Sequence, residues 1–494
     1  MRGKRGIHGF GLAVLLTSLA LTAAACGSWQ VTSTPVPLNA VHVALLHTGK
    51  VLLVAGSGNN KSDFVAGTFK TTIWDPQSNT FQSVATPWDA FCSGHAFLPD
   101  GRLLVAGGTG DFPIEGNANY AGTKHAFIFD PVQGKYQAAP DSTIARWYPS
   151  VVELGDGKLF TLGGFDENRT KSRLAETFDG TSWSPTQPPP ASVTSMPTYP
   201  ALHLLEDGRL FYSGANVLGT ESMVPGIWNL TTNAYQKVPG LAKRALRDEA
   251  MSVLLPPAQD QRVLIIGGGK SNGTALATDT TGLVDLKQAN PTYTAGPPLD
   301  TPKLYVSAVI LPDSTVLETG GALNSVQLSN NPVQSAQIFD PKTNAWTKVA
   351  TPTVPRVYHS SAILLPDGRV ATFGGNPPGS YEPRIEIYTP AYLQKDTPRP
   401  TITSAPTELT YGASYSISTT QASALSSAVL VRPAAVTHSS DSNQRLVQLA
   451  MLPSANGLTV SVPASHNLTP PGWYMLFVVD STGVPSVAHW VHVT

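Results

Sequence analysis

A recurring hairpin turn in this chain has a reactive side chain at a fixed distance before it. Counting nine residues back from Gly101, Gly157, Gly208, Ser314 and Gly368 gives Cys92, Tyr148, Tyr199, Tyr305 and His359, with Tyr358 beside the last. Thiol, phenol and imidazole are groups that can bond, titrate or ligate. Repeats arranged around an axis would bring them to one point. A lone tyrosine at a strand mouth usually just packs, and Tyr199 and Tyr305 read that way; a free cysteine is usually a small buried hydrophobe. A cysteine, two tyrosines and a histidine at matching positions make a site.

The elements that must position them are legible in PRVYHSSAILLPDGRVATFGG, residues 355–375. An apolar run, Asp-Gly-Arg and a second apolar run ending in Gly-Gly read as a β-hairpin, with Asp-Gly supplying the positive φ angles of a two-residue turn. Tyr358 and His359 are adjacent where the first strand begins. Neighbours on a strand face opposite ways, so both reach one place only if the backbone there is irregular. The hairpin recurs seven times at a spacing of a little over fifty residues, from HTGKVLLVAG at 47–56 to PDGRVATFGG at 366–375. A second signature follows each copy, as in IWDPQSNTFQSV at 73–84, and the seventh, IEIYTP at 385–390, stops after one strand. Two hairpins per unit make a propeller blade. Trp29-Gln30-Val31 is similar to the end of the sixth unit, so the N-terminal strand is expected to complete the last blade and remove its free edges. The sequence thus predicts an all-β chain: a seven-bladed kelch-type β-propeller over 27–396, then an immunoglobulin-like (E-set) β-sandwich over 397–494. The polar loop THSSDSNQ, 437–444, interrupts the sandwich, is expected to be solvent-exposed, and carries His438.

Composition agrees. Only 13% of the 494 residues are charged, while 43 Gly and 42 Pro favour short strands and turns over helices. A formal charge of −1, with no basic cluster beyond the N-terminus, offers nothing to a nucleic acid. Arg2, Lys4 and Arg5 precede an apolar stretch that ends in Ala23-Ala24-Ala25, so residues 1–25 read as a signal peptide. Ala-Ala-Ala-Cys also resembles a lipoprotein signal in which Cys26 is acylated, although the usual leucine is missing three residues before it. Secretion with or without a lipid anchor at Cys26 is expected. Cys92 is then the one remaining cysteine, which excludes a disulfide within the chain. A monomer is expected.

FCSGHAFLPDGRLLVAGG, ARWYPSVVELGDGKLFTLGG, PRVYHSSAILLPDGRVATFGG, VTHSSDSNQRLVQL and PPGWYMLFVVDSTGVPSVA together resemble the galactose oxidase and glyoxal oxidase family of copper-radical oxidases. The resemblance covers nearly the whole mature chain. It implies that Cys92 is joined by a thioether to the ring of Tyr148, which binds copper and holds a radical. It implies that Tyr358 is the axial phenolate and general base, and that His359 and His438 are the nitrogen ligands. The His438 loop would reach up the propeller channel to the metal. Imidazoles, a phenolate and an open position suit tetragonal Cu(II). Substrate oxidation removes two electrons: copper takes one and the Tyr-Cys radical the other. The partners implied are a small aldehyde or alcohol and O2, which leaves as H2O2.

Two departures from galactose oxidase direct the reading. No segment is left before the propeller for a carbohydrate-binding domain. The tryptophan that follows Gly-Gly in galactose oxidase and covers the radical is absent from Gly163-Gly164-Phe165-Asp166, while Trp147 in Arg-Trp-Tyr-Pro matches the glyoxal oxidase branch. Both point to small aldehydes and α-hydroxy carbonyls of the glyoxal and methylglyoxal type, and to a less protected, more oxidising radical. Trp147, Phe165 and Arg247 are candidates for contact with substrate or radical, Arg247 as part of Arg247-Asp248-Glu249 before the fifth hairpin, a stretch that reads more simply as a solvated turn. His95, His125, His203, His466, His489 and His492 lack ligand spacing. An alcohol or carbohydrate oxidase acting on cell-surface glycans is one alternative, and a kelch propeller used only for binding is another.

Overall fold

The computed structural model of the chain describes residues 26–187, 189–190, 196–219, 223–270, 276–325, 331–419, 421–454 and 457–494. The expected leader, 1–25, lies outside the described residues. Seven sheets stand around a channel, with innermost strands His42–Leu45, Gly94–Phe97, Ser150–Glu153, Leu202–Leu204, Met251–Leu254, Ser307–Ile310 and Ser360–Leu364. Their residues are buried throughout, because each inner strand has a neighbouring blade on either side. The outer strands, such as Thr80–Ala85 and Ala345–Lys348, are largely exposed.

Ser28–Val31 pairs antiparallel with Glu386–Thr389 and supplies the outer strand of the last blade, with Trp29 opposite Tyr388. The Trp29 indole also donates to the Ala350 carbonyl at 2.7 Å, tying the closing strand to the sixth blade's outer edge. The ring therefore has no unpaired seam there.

The blade turns differ from the two-residue form expected. In the second blade Leu98 N–H donates to Arg102 O and Gly101 N–H to Leu98 O, which leaves the three residues Pro99, Asp100 and Gly101 as the connection. Gly101 has φ +85°, whereas Asp100 stays at negative φ. This is a type I turn closed by one left-handed glycine. Asp100 instead uses its carboxylate to accept the Arg102 N–H.

The glycine at each hairpin's end, doubled in five of the seven, admits a neighbouring segment. A Cβ on Gly374 would lie 2.6 Å from the carbonyl oxygens of both His359 and Ala40. A side chain there would displace the segment that carries His359.

The second domain is a nearly closed sandwich built from Glu408–Leu409, Ser414–Ser418, Leu425–Val431, Leu446–Ser454, Gly457–Ser461, Gly472–Asp480 and His489–Val493. Between its third and fourth strands the chain leaves the sandwich. Ala435–Thr437 pairs antiparallel with His42–Ala44, as a fifth strand on the first blade. Residues 437–444 are therefore buried apart from a half-buried Ser440, which corrects the solvent-exposed loop read from their polarity. Their polar groups are satisfied inside the channel. Asp441 accepts backbone N–H from Ala435, Asn443 and Gln444. The Asn443 side-chain oxygen accepts from Glu153 N–H at 2.9 Å, and that of Gln444 from Ile310 N–H at 2.6 Å. At the base of this finger Arg432 forms a buried ion pair with Glu153 of the third blade.

Candidate metal centre

Six of the seven inner strands are reached through a residue in the left-handed region at the channel mouth. Cys92, Tyr148, Tyr199, Glu249, Tyr305 and His359 have φ between +41° and +68°, and His438 at the tip of the finger has φ +46°. Such conformations are costly for non-glycine residues and persist only where surrounding structure holds them. Here backbone bonds between blades hold them: Tyr148 N–H donates to Cys92 O, Tyr199 N–H to Tyr148 O and Tyr305 N–H to Glu249 O, each at 2.9 Å. The left-handed turn at His359 is the irregularity its placement beside Tyr358 requires. It brings the two rings into a stack at 3.7 Å.

Five side chains from four parts of the sequence meet there. The phenol oxygens of Tyr148 and Tyr358 are hydrogen-bonded to one another. The ligating atoms of Cys92, His359 and His438 all lie within 4.8 Å of one another. Cys92 and Tyr148 share an apolar cluster with Val41, Phe91, Trp147, Phe165, Tyr199 and Val217. Each imidazole is oriented through its Nδ1. For His359 the partner is Asn376 Oδ1 at 2.6 Å; for His438 it is Thr437 Oγ1 at 2.7 Å. Asn376 is itself fixed: its side-chain oxygen accepts from Asn39 at 3.0 Å, and its backbone N–H donates to Tyr358 O at 2.7 Å. His359 Nε2 is left buried and without a partner.

Burial sets the protonation of the cluster. It pushes the Cys92 thiol and the Tyr148 and Tyr358 phenols well above their ordinary ranges. It also lowers His359 to about 4 and His438 well below the usual histidine range. Burial thus favours the neutral form of each group, and His438 Nε2 lies 3.8 Å from Cys92 Sγ. Tyr358 and His359 open onto a cleft of about 550 Å³ that is also lined by Asn39, Asn59, Lys61, Asn376 and Tyr381.

The candidates around this cluster are placed differently from their sequence reading. Trp147 lies on the face of Tyr148, ring centroids 3.7 Å apart and planes 13° apart. The missing tryptophan after Gly164 therefore does not leave the phenol bare, which removes the ground for a less protected ring. The left-handed turn at Tyr148 folds its own predecessor's indole back over it. Phe165 packs beside Trp147 in a tilted contact, at 6.0 Å between centroids. Arg247 is not available to a substrate. Its guanidinium is buried and donates to the carbonyls of Gly267, Thr280 and Ala242, so it closes the fifth blade instead. Tyr199 is more than filler. Its hydroxyl donates to Ser93 O, and its ring stacks on His438 at 4.9 Å. Glu249, the last residue of Arg247-Asp248-Glu249, occupies the fifth blade's ring position, which the nine-residue count does not reach because the turn over 255–261 is longer. His42, whose Nε2 accepts the Cys92 N–H at 3.1 Å, begins the first inner strand, carries no motif and escaped the sequence reading.

Residues 61–398 match the family model described as glyoxal oxidase N-terminus, and residues 399–493 match that of the galactose oxidase-like early set domain. The chain belongs to the glyoxal oxidase family of copper-radical oxidases. It is 27% identical to a galactose oxidase of Gibberella zeae, over 90% of this chain and 68% of the relative. It is 28% identical to aldehyde oxidase GLOX of Vitis pseudoreticulata, over 85% of each. A solved structure, described as a fungal alcohol oxidase of the AA5 family in complex with copper, shares the fold with a TM-score of 0.82 and 24% identity. That match covers 95% of this chain and all of that one. The residues present fit copper: an orphaned imidazole nitrogen, a second imidazole and two phenols are directed at one another from a buried, neutral pocket.

Proposed function

We propose that this chain is an exported oxidase of small aldehydes and α-hydroxy carbonyls. An aldehyde hydrate and O2 would give the acid and H2O2. The carrying observation is the meeting of Tyr148, Tyr358, Cys92, His359 and His438 at the head of a cleft of about 550 Å³, a volume suited to a small substrate. His359 and His438, through Nε2, and Tyr148 and Tyr358, through their phenol oxygens, would hold the metal. When bound, copper supplies a one-electron acceptor and an open position for substrate oxygen. Tyr358 Oη then takes the substrate's hydroxyl proton as general base. Tyr148, its ring joined to Cys92 Sγ, takes the hydrogen atom from the substrate carbon. Trp147 and the surrounding apolar cluster keep water from the Tyr148 ring. Asn39 fixes Asn376, which in turn fixes His359.

The test is peptide mapping of the reduced protein after loading with copper in air. Cys92 and Tyr148 peptides that are joined and two hydrogens light support the radical reading; separate peptides with copper bound overturn it. Likeness to a galactose oxidase favours an alcohol or carbohydrate oxidase as the second reading. Peroxide release across glyoxal, methylglyoxal, glycerol and galactose separates the two. A chain carrying its leader, expressed in a bacterial host, would release a soluble product if secreted and a detergent-phase product if Cys26 is acylated.

A further inference from the structure

The Tyr148 ring is the inner end of a column. Trp147 covers it at 3.7 Å and 13°, and Tyr120 covers the outer face of Trp147 at 4.5 Å and 4°. Tyr148 and Trp147 are buried, but Tyr120 is only half-buried, and its hydroxyl donates to the exposed Asn59. The outer part of the column is supplied by a ribbon, Thr109–Asp111 with Ala121–Gly122, that belongs to no blade sheet. This ribbon is docked closely. A Cβ on Gly122 would lie 2.3 Å from Phe165 O and 2.5 Å from the Arg146 carbonyl carbon. Thr109 Oγ1 accepts the Trp147 indole N–H at 3.2 Å, so the first ribbon strand fixes the indole while the second docks on the backbone beside it. Packing alone asks for area. Here three of the side chains most easily oxidised by one electron lie nearly parallel in order from the site to solvent.

We propose that Tyr120, Trp147 and Tyr148 form an electron relay through which a one-electron oxidant in solution converts Tyr148 to its radical without entering the substrate cleft. The inference rests on the radical reading above. The electron balance is simple. In the metal-loaded protein Tyr148 is a phenolate with no proton to shed. One electron leaves it, passes through Trp147 and Tyr120, and reduces one ferricyanide to ferrocyanide. Tyr120 touches neither substrate nor metal ligand; it acts through Trp147.

The test mixes the copper-loaded, radical-free protein with ferricyanide in a stopped-flow cell and follows radical absorbance and loss of the Cu(II) EPR signal. The parent protein is expected to show a fast oxidation phase that Tyr120→Phe loses, because phenylalanine keeps the ring but not its ease of oxidation. Tyr120→Trp is expected to keep the phase. Asn59→Ala, which removes the hydrogen bond but not the ring, is also expected to keep it. Equal rates in the parent and Tyr120→Phe would overturn the relay and leave the radical reading standing. Slowing in Asn59→Ala or Tyr120→Trp as great as in Tyr120→Phe would also overturn it, since local structure would then be the cause. No radical in the parent protein overturns both readings.

Discussion

Asn376→Ala tests the orientation of His359 with little disturbance of its surroundings. Asn376 Oδ1 receives the His359 Nδ1–H at 2.6 Å, and its backbone N–H, retained in alanine, still donates to Tyr358 O. The loop should therefore stay in place while His359 Nδ1 and Asn39 Nδ2 lose their shared acceptor and Ser380 O loses a donor. An unsatisfied buried group of this kind costs about 1–3 kcal/mol. It also frees the ring to rotate or to exchange tautomers, so that Nε2 is no longer fixed as the ligating nitrogen. Loss of such a support to a metal-bound histidine weakens metal affinity about 10–100-fold, which corresponds to roughly 1.4–2.8 kcal/mol. The two routes agree in size. Calorimetric titration of the metal-free protein with Cu(II) should show this loss, and Asn376→Asp, which keeps an acceptor oxygen, should recover most of it. Parent-like affinity in the alanine variant, with an unchanged melting temperature, would refute the argument that the hydrogen bond selects the ligating nitrogen.

Glu153→Gln should strand the buried Arg432 guanidinium and lower stability by about 3–5 kcal/mol, read as a fall in the denaturation midpoint. Arg247→Met should likewise cost several kcal/mol, because each hydrogen bond from a charged group to the carbonyls of Gly267, Thr280 and Ala242 contributes about 1.5–3 kcal/mol. The KM of the folded fraction should not move; a rise in KM alone would restore Arg247 as a substrate contact. Removing copper with a chelator should lower the melting temperature, since a ligand present at a thousandfold its Kd stabilises the folded form by about 4 kcal/mol. A melting curve indifferent to copper would mean that the site does not bind it in the folded state.

The sequence carried the architecture because each blade repeats a turn and a glycine at the hairpin's end, and these need specific backbone conformations wherever they occur. The ring positions of Cys92, Tyr148, Tyr199, Tyr305 and His359 were legible for the same reason: constant spacing from a turn survives folding. The equivalence of Glu249 to these positions was hidden by a longer turn, which changes the count without moving the strand mouth. The finger over 437–444 was misread because Ser, Asp, Asn and Gln usually mean exposure. Here their hydrogen bonds to Glu153, Ile310 and the finger's own backbone replace solvent. The cover on Tyr148 was missed because it depends on a positive φ at Tyr148 itself, which brings a sequence neighbour face to face with it. Arg247, read in sequence as either a substrate contact or a solvated turn, is neither. A buried guanidinium bonded to backbone carbonyls looks, in sequence alone, like any other arginine in a turn.

The pairing of Ala435–Thr437 with the first blade's inner strand also governs the order of assembly. During synthesis the chain emerges from its N-terminus, and early segments begin to fold first. Six blades can form before the ring closes, yet the channel mouth lacks His438 until the sandwich has emerged and its finger has threaded back to a strand made nearly four hundred residues earlier. A partly made chain therefore presents phenols, a thiol and one imidazole but not the second. The full donor set appears only on the finished molecule.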